Sequence, residues 1–168
     1  MALTDRIGMD ENTMNNNRES SELDRLVDNI MVAIDADEYA IYSKDVIAEF
    51  RSPANIGPID EADGNGVADG LCMDTMEIWI KVEKDRITRC TFYTDGCGAT
   101  IACGSRLTKM IIGKTIDEAE KLRAEELEHS LGGLPEDHKH CANLAIIAFR
   151  NAIRDRREKM ARNEEDRD

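Results

Sequence analysis

The sequence predicts an α+β domain, with a small antiparallel sheet of about three strands and helices packed on one face. Three observations predict it. Two stretches, "DTMEIWIKVEKD" and "ITRCTFYT", alternate apolar and polar residues with period two, as half-buried strands do. On either side of them apolar residues recur every three to four positions, the period of a helix with one buried stripe. Along the chain the order is helices, a strand block, then helices again, with no internal repeat.

The first element expected is no element at all. Residues 1–20 are polar, acidic and Asn-rich without an apolar period, which predicts a disordered tail. Leu23, Leu26, Val27, Ile30, Met31 and Ile34 then mark an amphipathic helix over 21–37, with Ser21 followed by Asp24 as its cap. A second stripe, Tyr39, Tyr42, Val46, Ile47 and Phe50, runs into "RSPANIGPIDEADGNG". There Pro53, Gly57, Pro58, Gly64 and Gly66 argue against regular structure. In the first strand Met76, Ile78, Ile80 and Val82 alternate with Glu77, Trp79, Lys81 and Glu83, and "EKDR" turns the chain into the second strand.

From Ala99 the period returns to that of a helix through Ile101, Leu107, Met110 and Ile111, closed by Gly113. "TIDEAEKL", capped by Thr115, and "RAEELEHSL" read as short acidic helices. Gly132, Gly133 and Pro135 break the chain before a long helix from about residue 139, apolar at Leu144, Ile147, Ala148 and Ala152. Residues 156–168 are charged throughout and are expected to be a solvated tail. The core domain therefore spans 38–155.

Bulk properties narrow the function. The 168 residues suffice for one domain with a real core, and with only 4% aromatics that core is aliphatic. A net charge of −13 excludes nucleic acid as the main partner, because phosphate binding needs a basic face. No run approaches the roughly eighteen apolar residues of a membrane span, and the N-terminus lacks the apolar segment of a secretory signal. These features predict a cytoplasmic protein with no membrane partner. In a reducing compartment five cysteines, an odd number, read as metal ligands, reactive thiols or buried small hydrophobes, not as disulfides.

Three of the five stand at junctions between elements. Cys72 precedes the first clear strand, with Asp74 two residues on and on the same face if the strand has begun there. Cys97 lies between two glycines just before a helix, where partial positive charge favours a thiolate. The stretch "LPEDHKHCANLA" puts Cys141, with His140 beside it, in the first turn of the last helix, and the same argument applies. Taken alone, Cys72 and Cys141 read equally well as structural, while its flanking glycines favour a functional Cys97; together with Asp74 and His140 they are harder to explain as packing. Cys90 alternates with Phe92 and reads as core, Cys103 reads as helix packing, and His129 and His138 read as exposed polar residues. No C-x-x-C occurs. Three thiolates with a carboxylate or imidazole suit Zn²⁺, ferrous iron or an iron–sulfur cluster, and the harder ligand weakens the hold and eases release.

Four ordered segments carry a family resemblance: "YSKDVIAEFRSPANIGPID", "CMDTMEIWIKV", "TDGCGATIACGS" and "LPEDHKHCANLA". Over residues 39–155 the chain resembles the U-type iron–sulfur cluster assembly scaffolds, IscU and the N-terminal domain of NifU. The resemblance implies a stand-alone scaffold, a carrier and not a turnover enzyme. It would build a 2Fe–2S or 4Fe–4S cluster from iron and persulfide sulfur supplied by a cysteine desulfurase, then pass it to apo iron–sulfur proteins. It implies Cys72, Cys97 and Cys141 as cluster ligands, Asp74 as the residue that tunes lability, and His140 as accessory ligand. It also implies Cys141 as persulfide acceptor and Zn²⁺ as a further occupant of the same ligands. A homodimer sharing one cluster is compatible with the open coordination.

The chain departs from the pattern in three places. Met73 stands where the family has glycine. Leu134–Pro135–Glu136–Asp137–His138 replaces Leu-Pro-Pro-Val-Lys, so the resemblance does not extend to the dedicated chaperone pair. The helix at 21–34 is extra. Two other readings remain at this stage: a zinc-dependent, SufU-like sulfurtransferase accepting sulfur on Cys141, and a structural zinc domain. His140 and the short Cys97–Cys141 interval count against the first. The second predicts that Cys→Ser at 72, 97 or 141 unfolds the chain.

Overall fold

The computed structural model describes residues 11–165. Residues up to Ala40 and from Ile41 onward form two units, and each is described by itself. The first is a single helix, α1 (Glu11–Ile41). It begins ten residues before the expected start at 21 and runs on through Ser21 and Asp24, so the helix does not start there. The stretch 11–41 contains neither glycine nor proline. A helix nucleated on the apolar stripe gains a hydrogen bond for each residue added, so the polar Asn run extends it instead of ending it. The remainder of the expected tail, residues 1–10, lies outside the described residues.

In the second unit the stripe read as one helix over 39–50 is broken at Ser43. The Ser43 hydroxyl accepts from Val46 N at 3.1 Å and caps α2 (Lys44–Arg51). Val46 and Ile47 face the core. So does Glu49, whose Oε2 accepts from Ser105 Oγ at 2.5 Å and Lys109 Nζ at 2.7 Å. Arg106 Nε adds an ion-pair contact at 3.1 Å, too bent to count as a hydrogen bond. Burial alone would raise the Glu49 carboxyl, but these donors and the Lys109 and Arg106 charges outweigh it and hold the carboxyl below its usual range.

The sheet comprises β1 (Gly64–Asp69), β2 (Thr75–Glu83) and β3 (Arg86–Thr94), antiparallel in the order β1-β2-β3. Ile78 pairs with Gly66 on one side and Phe92 on the other. Lys84 and Asp85, both at positive φ (49° and 65°), form the two-residue loop of a type I′ hairpin. Beyond β3, Phe92 N donates to Asn55 O and Gly57 N to Phe92 O, both at 2.9 Å, so the chain at 55–57 extends the sheet by one bridge.

β1 corrects the sequence reading, which took its glycines as a sign of irregular chain. A Cβ on Gly66 would lie 2.1 Å from Ala152 N and 2.3 Å from Ala148 O, and one on Gly64 would lie 2.2 Å from Ala152 O. The glycines are there because a helix backbone lies directly on the strand. That helix is α6 (Lys139–Glu165). Between β3 and α6 come α3 (Gly98–Ile111), α4 (Ile116–Glu120) with the Thr115–Glu118 capping box, α5 (Ala124–Ser130), and a 3-10 turn at Glu136–His138.

Met76, Ile78 and Ile80 of β2, with Cys90 and Phe92 of β3, form the buried face of the sheet. Ala102 and Leu107 of α3 and Ala148, Phe149 and Ala152 of α6 share the same core. Each large apolar side chain buried there contributes about 1.5–3 kcal/mol over exposure. Cys90 and Cys103 are core residues, as expected. The far end of α6 is a second correction: the helix continues to Glu165, not into a loose tail from 156. Its charges pair one turn apart, Lys159 Nζ with Asp155 Oδ2 at 2.8 Å, and Arg157 makes two bonds to the Glu120 carboxylate at 2.9 and 2.7 Å.

Candidate metal centre

Three junctions meet at one end of the sheet. Between β1 and β2 the chain turns through Leu71–Met73, with Gly70 N donating to Asp74 O at 2.7 Å. After β3 it passes through Asp95 and Gly96 to Cys97, the N-terminal flank of α3, which caps no backbone group with its sulfur. The 3-10 turn then delivers His140 and Cys141 at the start of α6. Thr75 N donates to Asp95 Oδ1 at 2.7 Å and locks the first two junctions together.

The five expected residues converge, but not equally. Among the described residues, Asp74, His140 and Cys141 offer ligand atoms that all lie within 4.8 Å of one another. Cys72 Sγ is 3.2 Å from His140 Nε2, and Cys141 Sγ is 3.6 Å from the same nitrogen. Cys97 joins through Thr100, whose hydroxyl is 3.6 Å from Cys97 Sγ, 3.3 Å from Cys141 Sγ and 2.9 Å from Asp74 Oδ2. Cys72, Asp74, Cys97 and His140 line a cleft of about 440 Å³.

Accessibility runs from outside to inside across the set. Cys72 and Cys97 are exposed, His140 is half-buried, and Cys141 is fully buried. Asp74 is 7% exposed, and its Oδ1 has no hydrogen-bond partner at all. A buried, unsatisfied carboxylate oxygen costs on the order of 1–3 kcal/mol or more, so the fold is carrying a vacant acceptor at this point. Room for that carboxylate exists because its neighbours are glycines: a Cβ on Gly70 would lie 2.1 Å from Oδ1 and one on Gly96 2.9 Å from Oδ2.

The Cys141 thiol reverses an expectation. Its place in the first helical turn predicts an acidic thiol, but burial pushes it up to about 12. The Thr100 hydrogen bond lowers it only in part, while Cys97 and Asp74 raise it further. Helix-start charge helps a thiolate that faces solvent; here α3 and the β1–β2 turn cover the sulfur, and desolvation wins.

Comparison with known proteins gives the family. The family described as NifU-like N terminal domain matches residues 41–163. The chain belongs to that family. It is 47% identical over 116 residues to a protein of Archaeoglobus fulgidus named iron-sulfur cluster assembly scaffold protein IscU 1, covering 68% of this chain and 76% of the relative. To the IscU scaffold protein of Aquifex aeolicus it is 39% identical over 127 residues, 74% of this chain and 81% of that one. A crystal structure of a NifU-like protein (N-terminal) from Brucella abortus shares the fold with a TM-score of 0.58 at 22% identity, covering 71% of this chain and 96% of that one.

Two residues of this NifU-like domain escaped the sequence reading. His138 is not a bystander: it borders the cleft, its Nε2 is 3.2 Å from Tyr42 Oη and its Nδ1 3.0 Å from Asp137 Oδ1. Its ring stacks against that of His140, centroids 6.5 Å apart and planes 20° off parallel. No local signal could have revealed a contact with Tyr42, 96 residues away. Thr100 had a signal. It lies three residues after Cys97 on α3, the spacing that puts two side chains on one helix face. Met73 sits at φ 60°, in the left-handed region.

Proposed function

We propose that this chain is a scaffold on which an iron–sulfur cluster is assembled and then given away, held by Cys72, Asp74, Cys97, His140 and Cys141. One observation carries the reading: a buried, unpartnered carboxylate oxygen on Asp74, at the meeting point of three thiols and an imidazole. Such a donor set suits an iron–sulfur unit or Zn²⁺.

The cluster is cargo, and the residues divide the work of holding it. Cys141 and Asp74 receive it from below, and Cys72 and Cys97 close over it from the exposed side. Thiolate is the ligand form, so loading expels a proton from Cys141. The oxygen or nitrogen ligand makes the site a weaker grip than four thiolates, which favours handover. Sulfur arrives by thiol exchange once docking of the desulfurase uncovers and deprotonates the buried Cys141: its thiolate attacks the terminal sulfur of the donor persulfide, the donor's S–S bond breaks, and the donor cysteine leaves as thiolate. Apo iron–sulfur proteins are the recipients. Two copies sharing one cluster would complete its coordination, and five free thiols suit a reducing compartment such as the cytoplasm. Among the described residues no helix is long and apolar enough to cross a membrane.

Anaerobic reconstitution with ferrous iron, cysteine and a cysteine desulfurase tests the proposal. A visible sulfur-to-iron chromophore is expected, and Asp74→Ala should slow its transfer to an apo-ferredoxin. A colourless chain that binds Zn²⁺ tightly would overturn the scaffold reading.

A further inference from the structure

Thr100 is a fully buried polar residue on α3 whose single hydroxyl proton faces three acceptors. Asp74 Oδ2 is at 2.9 Å, Cys141 Sγ at 3.3 Å and Cys97 Sγ at 3.6 Å. A carboxylate is the strongest acceptor of the three, so the proton goes to Asp74. In a helix a threonine has few χ1 choices, so the hydroxyl is held where the backbone puts it. Gly96 leaves the space: a Cβ there would lie 2.8 Å from Thr100 Cβ and 2.9 Å from Asp74 Oδ2.

The consequence falls on the other oxygen. With Oδ2 committed to Thr100, Asp74 is left with Oδ1, which is buried and has no hydrogen-bond partner. Gly70 clears that side, since a Cβ there would lie 2.1 Å from Oδ1. We propose that Thr100 is a positioning residue which fixes Asp74 as a one-oxygen ligand, holding Oδ2 and leaving Oδ1 unpartnered before any ion arrives. The inference rests on the reading of the cleft as a metal site. It adds a residue outside the ligand set that decides how Asp74 takes part.

Removing the hydroxyl leaves the carboxylate free to rotate and share both oxygens with its surroundings. Ligand-orienting hydrogen bonds of this kind are worth about 10–100-fold in metal affinity. Thr100→Val deletes the hydroxyl and keeps the shape, whereas Thr100→Ser keeps the hydroxyl. The test is an anaerobic Co²⁺ titration of wild type, T100V, T100S, D74A and the D74A/T100V double variant, with circular dichroism run alongside. We expect T100V to weaken Co²⁺ about 10–100-fold and T100S to restore most of the loss. In the D74A background T100V should cost less than about twofold more, because the hydroxyl would have nothing left to orient.

If T100V does not fold, Thr100→Ala replaces it in both backgrounds. Unchanged Co²⁺ affinity in T100V, or a full T100V penalty that persists without Asp74, overturns this inference alone. A wild-type chain that binds no Co²⁺ overturns the metal-site reading together with it.

Discussion

Cys141 gives the sharpest quantitative prediction, because burial suppresses its reactivity twice, by raising its pKa and by hiding the sulfur. An unperturbed thiol, pKa about 8.5, is roughly one-quarter thiolate at pH 8. A thiol pushed up to about 12 is thiolate in about one molecule in ten thousand at that pH. The ratio is on the order of a thousand, before any allowance for the sulfur being inaccessible to reagent. Burial favours the neutral form, so reactivity should climb about tenfold per pH unit from 8 to 11 without levelling off. The assay is timed iodoacetamide labelling of chelator-treated protein, quenched and read peptide by peptide. Cys72 and Cys97, both exposed, should label within the first time points and Cys141 last. Labelling of Cys141 as fast as Cys72 at pH 8, or a plateau near pH 9, would refute the argument that desolvation overrides the helix start.

Two further outcomes test the frame around the site. Gly66→Ala should fall at the severe end of overpacking, about 3 kcal/mol, because its Cβ would meet the α6 backbone at 2.1 Å and not a side chain that can swing away. A thermal scan should show the midpoint lowered on the order of 10 °C; a shift under about 2 °C would mean the strand and helix are not in direct contact. Glu49→Gln should flatten the acid side of the stability curve. The folded carboxyl lies below its unfolded value, so its contribution is present above about pH 4.5 and lost as pH falls through the folded value. Urea midpoints from pH 7 to pH 3 that run parallel for the two proteins would count against that ion network.

What could be read in advance was whatever the chain encodes locally. The β2–β3 hairpin was legible because its face toward the core is strictly alternate, Met76, Ile78 and Ile80 buried against Glu77, Trp79 and Lys81. That Cys72, Asp74, Cys97, His140 and Cys141 stand at junctions between elements was legible, because the breaks on either side of them are local. β1 was not, since its two glycines answer to Ala148 and Ala152 more than eighty residues later, and local rules read them as loop. The start of α1 was missed because composition measures polarity, while helix growth depends on the absence of a breaker. His138 needed Tyr42, and the Cys141 thiol needed the walls that desolvate it. For β1, His138 and Cys141 the deciding neighbour comes from a distant part of the chain.

The contact of α6 with β1 works as a caliper for the cleft. One jaw is the strand, which runs straight from Gly66 into the turn bearing Cys72 and Asp74; the other is the helix, whose first turn bears His140 and Cys141. At its pivot the two backbones touch with no side chain between them, so the spacing is set by bare main chain, the least compressible gauge a protein has. The gap between Asp74 and Cys141, where a cation would be gripped, is thus calibrated several residues away by atoms that take no part in the chemistry.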